Sequence, residues 1–217
     1  MSAFPAIFDA TAEFLKGKGI APEVSKGKKA TPTDIKRFHT QTGILLPESF
    51  SAFYTGFADG FEFRWEKTED QWGVFSIPSL KQLSEDRRSW ERRVRRFLHD
   101  PDQLGGCVDP QFRPAAFKIW GRMESWVPFW DEGNGDHFCV VAASGLIVYD
   151  QHDWYDGFGT LAKTNGLLAG QSLVEFVQNW SQFCFRRNKS LWWGEFAKHG
   201  EIKWEPEFFD MEFFRGV

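Results

Sequence analysis

Cysteine is scarce in this sequence: Cys107, Cys139 and Cys184 are the three present, they lie far apart, and no CxxC pair occurs. That excludes a disulfide framework and a zinc-ribbon spacing, and points to buried thiols in a reducing compartment. Basic charge is not in excess either. The formal net charge of -4 and pI near 5.8 argue against a nucleic-acid-binding protein, whose footprint is a basic surface. The start Met1 to Leu15 is broken by Pro5, Asp9 and Glu13, so it does not read as a secretory signal. No run reaches membrane-spanning length. The chain is therefore expected in the cytoplasm, with no direct contact to membrane or nucleic acid.

Catalytic signatures are missing as well. There is no HExxH, no glycine-rich phosphate loop followed by lysine, and no GxSxG elbow. One region could in principle ligate a metal or carry out hydrolysis, because it gathers Asp131, Glu132, Asp136, His137, Asp150, His152 and Asp153. Its spacing suits no EF-hand loop, since Gly133 and Gly135 fall where oxygen ligands belong. Turn chemistry accounts for the Asp and Gly residues without a metal. The expectation is a protein that is not an enzyme and has no cofactor and no metal. A metal-dependent enzyme using Asp136, His137, His152 and Asp153 is the minor alternative.

What the chain does have is aromatic mass. Phe and Trp number 24 and 11, within an aromatic share of 18% and a hydrophobic share of 42%. Rings of this kind fill cores and also anchor recognition surfaces. Their spacing gives an outline. After a short N-terminal helix, Lys16 to Lys29 is rich in Gly and Lys and reads as a mobile connection. Thr31-Pro32-Thr33-Asp34 then supplies a cap, a first-turn proline and a dipole-matched carboxylate for a helix that Gly43 stops. Pro47 opens a second helix whose Phe50, Phe53, Tyr54 and Phe57 form one face. Phe61, Phe63 and Trp65 alternate with Glu62 and Arg64 as in a half-buried strand, and Val74 to Ile77 reads as another.

Further along, Ser84 is placed to cap a helix with Trp90, Val94, Phe97 and Leu98 on one stripe. Arg87, Arg88, Arg92, Arg93, Arg95 and Arg96 make its other face, which reads as solvated and supported by pairs such as Glu91 with Arg95. Gly105 to Arg122 reads as a loop because of Pro110 and Pro114. Trp126 to Trp130, Phe138 to Ala142 and Leu146 to Tyr149 form an expected antiparallel meander, and Ser172 to Glu175 is a capping box opening a closing helix. The aromatic, acidic tail after Leu191 is expected to pack back on the domain. Three parts result: an N-terminal helix and connection (1–29), an α+β domain with an antiparallel sheet of five or six strands between N-terminal and C-terminal helices (30–187), and an extension (188–217).

This order resembles the SUKH superfamily, the Smi/Knr-type domain. The matching stretches are Thr31 to Ile35 leading into Leu45-Leu46-Pro47-Glu48-Ser49-Phe50, then Trp126 to Val140 with its acidic-glycine turn Asp131 to Asp136, then Ile147 to Asp153 before the helix from Ser172. The chain departs from the pattern in its arginine-rich segment, in Gly105 to Arg122, in lacking an Asp two positions beyond Cys139, and in its tail. The resemblance implies a protein-binding domain, and many bacterial members look like immunity proteins that neutralise a toxin, often a nuclease. A regulatory scaffold of the Smi/Knr type is the alternative. A basic toxin domain suits the acidic charge, and the residues expected to contact it are Asp131, Glu132, Asp136, Trp154, Tyr155 and Asp156.

Overall fold

The computed structural model describes residues 3–99, 113–151, 165–186, 193, 197–209 and 211, and the side chains of the helix beginning at Arg113 from residue 117 on. The elements run α1 (Phe4–Gly17), β1 (Glu23–Lys26), α2 (Pro32–Thr42), α3 (Glu48–Gly56), β2 (Phe61–Thr68), β3 (Gln71–Ile77), α4 (Leu80–His99), α5 (Arg113–Met123), β4 (Trp126–Asp131), β5 (His137–Val141), β6 (Ile147–Asp150), β7 (Leu167–Gly170), α6 (Leu173–Ser181), β8 (Ala197–Lys198) and β9 (Glu201–Ile202). They form an α+β fold with two sheets, ordered β1-β2-β3 and β4-β5-β6-β7-β9-β8. Adjacent pairs are antiparallel except β7 with β9, which is parallel.

Local chemistry explains the elements that the sequence marks. Thr31 accepts from the Asp34 amide while Asp34 accepts from the Thr31 amide at 2.9 Å, a closed capping box. Gly43 ends α2 in the left-handed region at φ 70°, where a side chain is strained. In β2 the residues Phe61, Phe63 and Trp65 are buried and those between them exposed, so one face of the small sheet meets the core. The large sheet differs: β4 and β6 are buried nearly end to end, because both faces are covered. Val127, Phe129, Phe138, Val140 and Tyr149 face the main core with α3 and α6. Trp126, Cys139 and Val148 face a second core made with Trp90 and Val94 of α4 and Trp120 of α5.

Several expectations are corrected. The segment 16–29 is not a free connection: α1 continues to Gly17, and β1 pairs with β2 from Glu23 opposite Arg64 to Lys26 opposite Phe61. All four β1 residues are exposed, so no hydrophobic pattern announces this edge strand, which is held by its backbone pairing with β2 and by Lys26 lying over the Phe57 ring at 3.9 Å. Gly27 donates to the Gly60 carbonyl at 2.8 Å, and a Cβ there would stand 1.9 Å from the Asp59 oxygen. Helix α4 begins at Leu80, not at Ser84, which is buried inside it. Its first amide donates to Asp59 Oδ1 at 2.6 Å, and Ser79 accepts from the Gln82 amide. That cap comes from 21 residues upstream, beyond the reach of local reading. The end of the expected loop is α5, with Pro114 in its first turn where proline lacks no needed bond.

The arginine face of α4 is also divided. Arg87 is 4% exposed and donates to the Glu124 carbonyl at 2.7 Å, whereas Arg95 lies at the surface and pairs with Glu91 at 2.5 Å as expected. The described parts of the tail pack inward: Trp193, Ile202 and Phe209 are buried, Trp204 donates to the Ala169 carbonyl at 3.0 Å, and Phe209 stacks on Phe183.

Helix α1 shares the main core instead of decorating it. Phe8 lies 4.3 Å from Phe61 and 5.4 Å from Phe185, centroid to centroid. Truncating such a ring leaves a cavity, so Phe8→Ala is expected to lower unfolding stability by about 3–5 kcal/mol. Urea denaturation measures it, and an unchanged midpoint would contradict the integration of α1.

Candidate functional site

The turn between β4 and β5 is built by its own side chains. Asp131 Oδ1 accepts from the Gly133 amide at 2.7 Å, Asn134 Oδ1 accepts from the Asp136 amide at 3.0 Å, and the Glu132 amide closes onto the Asp136 carbonyl at 3.0 Å. Gly133 and Gly135 have φ of 80° and 95°, which glycine alone adopts without strain. Asp131 is exposed at the tip, and Glu132, half-buried, accepts from Trp130 Nε1 at 2.9 Å.

Asp136, expected on the surface, is 3% exposed. Its carboxylate accepts a very short hydrogen bond from the Tyr149 hydroxyl and another from Asn134 Nδ2 at 3.1 Å. These bonds replace the water it loses, and they make Asp136 a strut of the hairpin. Trp154, Tyr155 and Asp156 lie outside the described residues. Of the six expected contact residues the structure therefore brings Asp131 and Glu132 together at one exposed tip and puts Asp136 beneath them.

The residues weighed as metal ligands are arranged differently. Asp150, 1% exposed, accepts from Arg93 Nη2 at 3.1 Å and from Asn165 Nδ2 at 2.6 Å. Arg93 in turn lies 4.3 Å over the ring of Trp90. His137 stands opposite Asp150 in the β5–β6 ladder. Burial foremost, and then the Arg93 charge, push its imidazole down to about 4, against the opposing pull of Asp131, a bond to Gly135 and Asp136. His152 and Asp153 lie outside the described residues. Among the described residues no three of His, Cys, Asp and Glu gather as a metal-holding group.

Two concavities flank the end of β4, and Trp130 and Asp131 line both. The larger is a cleft of about 670 Å³. One wall is the outward row Ser25, Glu62 and Ser76, aligned across the small sheet by its register. The other is α4, through Asp86, Ser89, Trp90 and Arg93, and β4, an edge strand, runs between them from Pro128 to Asp131. Proline is tolerated there because an edge strand has a side that needs no donor. The smaller pocket, about 180 Å³, is aromatic and apolar, with Trp72 and Val74 of β3 facing Trp130, Trp180 and Phe185.

Sequence reasoning missed Asp59, Glu62, Asp86 and Trp72. They sit on separate elements with no shared spacing, and the one signal available was the alternation of β2, which already sends Glu62 to the face away from the core.

The sequence matches the SMI1 / KNR4 family (SUKH-1) over residues 29–183. No curated protein matches it.

The His137 shift has a stability consequence. The unfolded imidazole titrates near 6.5 and the folded one at about 4, so the unfolded state binds the proton first as pH falls. Stability is then full above about 6.5 and declines towards 4, by on the order of 3 kcal/mol for this group. His137→Gln is expected to flatten that decline in urea titrations run at several pH values. An identical pH slope in the variant would contradict the burial argument.

Proposed function

The chain belongs to the SMI1/KNR4 family (SUKH-1), and from that premise we propose that it acts without catalysis, by binding another protein, as a cytoplasmic immunity protein that neutralises one cognate toxin. Family membership supports an immunity-like or interaction role. The observation that carries the reading is the tip of β4 and β5: an exposed Asp131 and a half-exposed Glu132 stand beside a pocket whose rim and wall are Trp72, Val74 and Trp130. Charge at such an edge speeds encounter with a basic partner, and an aromatic pocket receives an apolar anchor that supplies affinity. The turn is braced by its own hydrogen bonds and by Asp136 on Tyr149, so little is lost in ordering it on binding. Among the described residues no helix is long and apolar enough to cross a membrane.

The test is co-expression with the toxin domain encoded beside this gene. Growth rescue and a complex that survives size exclusion are expected, with little protection against a related toxin of different contact surface. Trp72→Ala with Asp131→Lys is expected to weaken the complex by about 10- to 100-fold, with a cooperative thermal melt verifying that the variant still folds. Absence of both rescue and complex would refute the immunity role. Recovery of many unrelated partners in a pull-down would instead favour a regulatory scaffold.

A further inference from the structure

We infer that the large cleft beside α4 takes a lysine- or arginine-bearing segment of the partner protein. This rests on the protein-binding reading above and adds to it a second contact region and the chemistry it selects. Four carboxylates from four places line the cleft: Asp59 before β2, Glu62 on β2, Asp86 on α4 and Asp131 at the end of β4. Against them stands one guanidinium, Arg93, and that charge is already engaged by the buried Asp150. His137, at the inner end, stays neutral at pH 7. The cleft is therefore strongly negative inside a chain whose total charge is only -4.

The acids perturb one another. The Asp86 carboxyl is held above its ordinary value by burial first, against the hydrogen bond it accepts from Gln82, with smaller contributions from the charges of Glu85 and Asp131. Incoming positive charge would relieve that repulsion. Trp90, Phe129 and Trp130 line the same space and are almost wholly buried, giving an apolar floor over which charge pairs are less screened than in open water.

Shape decides between a small cation and a chain. Among the described residues the carboxylates do not gather as a metal-holding group. A volume of about 670 Å³ lies in the range that accommodates a drug-sized group, which is ample for a short stretch of polypeptide. A segment lying between the outer row Ser25, Glu62 and Ser76 and helix α4 can present one basic side chain to Glu62 and another to Asp86. Phosphate-bearing partners are repelled by the same groups.

The probe is a capped six-residue peptide alternating arginine and alanine, titrated calorimetrically into the full chain at low ionic strength, with a glutamate–alanine peptide as comparison. Saturable one-to-one binding of the basic peptide is expected, and none of the acidic one. Glu62→Lys with Asp86→Lys should weaken it by about tenfold or more, and the milder Glu62→Gln with Asp86→Asn should weaken it in the same direction. Glu13→Lys, on the exposed face of α1, should leave it unchanged. Thermal melts verify that each variant folds. No saturable binding, or equal weakening by Glu13→Lys, overturns the proposal, the latter because the attraction would then be diffuse. The titration needs no cognate toxin, so its failure is separate from failure of growth rescue. Rescue that persists undiminished in the Glu62 and Asp86 variants would remove the cleft and leave the protein-binding reading in place.

Discussion

Two sheets that share no hydrogen-bonded ladder must be joined by side chains, and here the joining side chains are rings. Phe75 of the small sheet stacks on Trp130 of the large one at 5.9 Å, and Trp180 of α6 meets both, at 6.0 and 5.2 Å. Phe138 and Phe176 extend the cluster, and Phe8 and Phe185 close it against α1. Each such pair contributes about 0.5–1.5 kcal/mol beyond the area it buries. An aromatic share of 18% is thus largely a consequence of architecture.

Two concavities adjoin the same contact: the acidic cleft, lined by Ser76 and Ile77 of β3 with Trp130, and the narrower aromatic pocket, lined by Trp72 and Val74 of β3 with Trp130. The rings also bring polar atoms inside, where indole N–H groups find partners: Trp65 donates to the Cys184 carbonyl, Trp90 to Met123 at the end of α5, Trp180 to Arg186, Trp130 to the Glu132 carboxylate and Trp204 to Ala169 of β7. Of the residues held this way, Met123 belongs to the second core, and Glu132 lines the smaller pocket beside Phe185. Rigidity of the candidate surface follows from packing beneath it.

Much of the frame was legible in the sequence because it is written in local terms. The Thr31 cap, the Phe50 to Phe57 face, the alternation of β2 and the Ser172 cap each need fewer than a dozen residues to recognise, the meander from Trp126 to Tyr149 needs about two dozen, and each is present. What was not legible depends on distant partners. Strand β1 exists through backbone pairing with β2, the start of α4 rests on Asp59 as well as on its local Ser79 cap, and β9 joins the large sheet by parallel pairing with β7. The same limit governs the site. The exposure of Asp131 and the partial exposure of Glu132 follow from turn grammar, whereas Asp136, expected at the surface, is buried against Tyr149. Glu62 and Asp86 become neighbours of one cleft only after the small sheet and α4 are set side by side.

A partner that docks as proposed, on the face on both sides of the β4 end, leaves a footprint on the backbone amides there. Amide hydrogen exchange on the complex with whichever partner the co-expression trial recovers reads that footprint. The account predicts new protection confined to residues 59–62, 72–78, 86–93 and 128–135. Protection concentrated along α1 and the end of α6, with those segments exchanging as in the free chain, would contradict it.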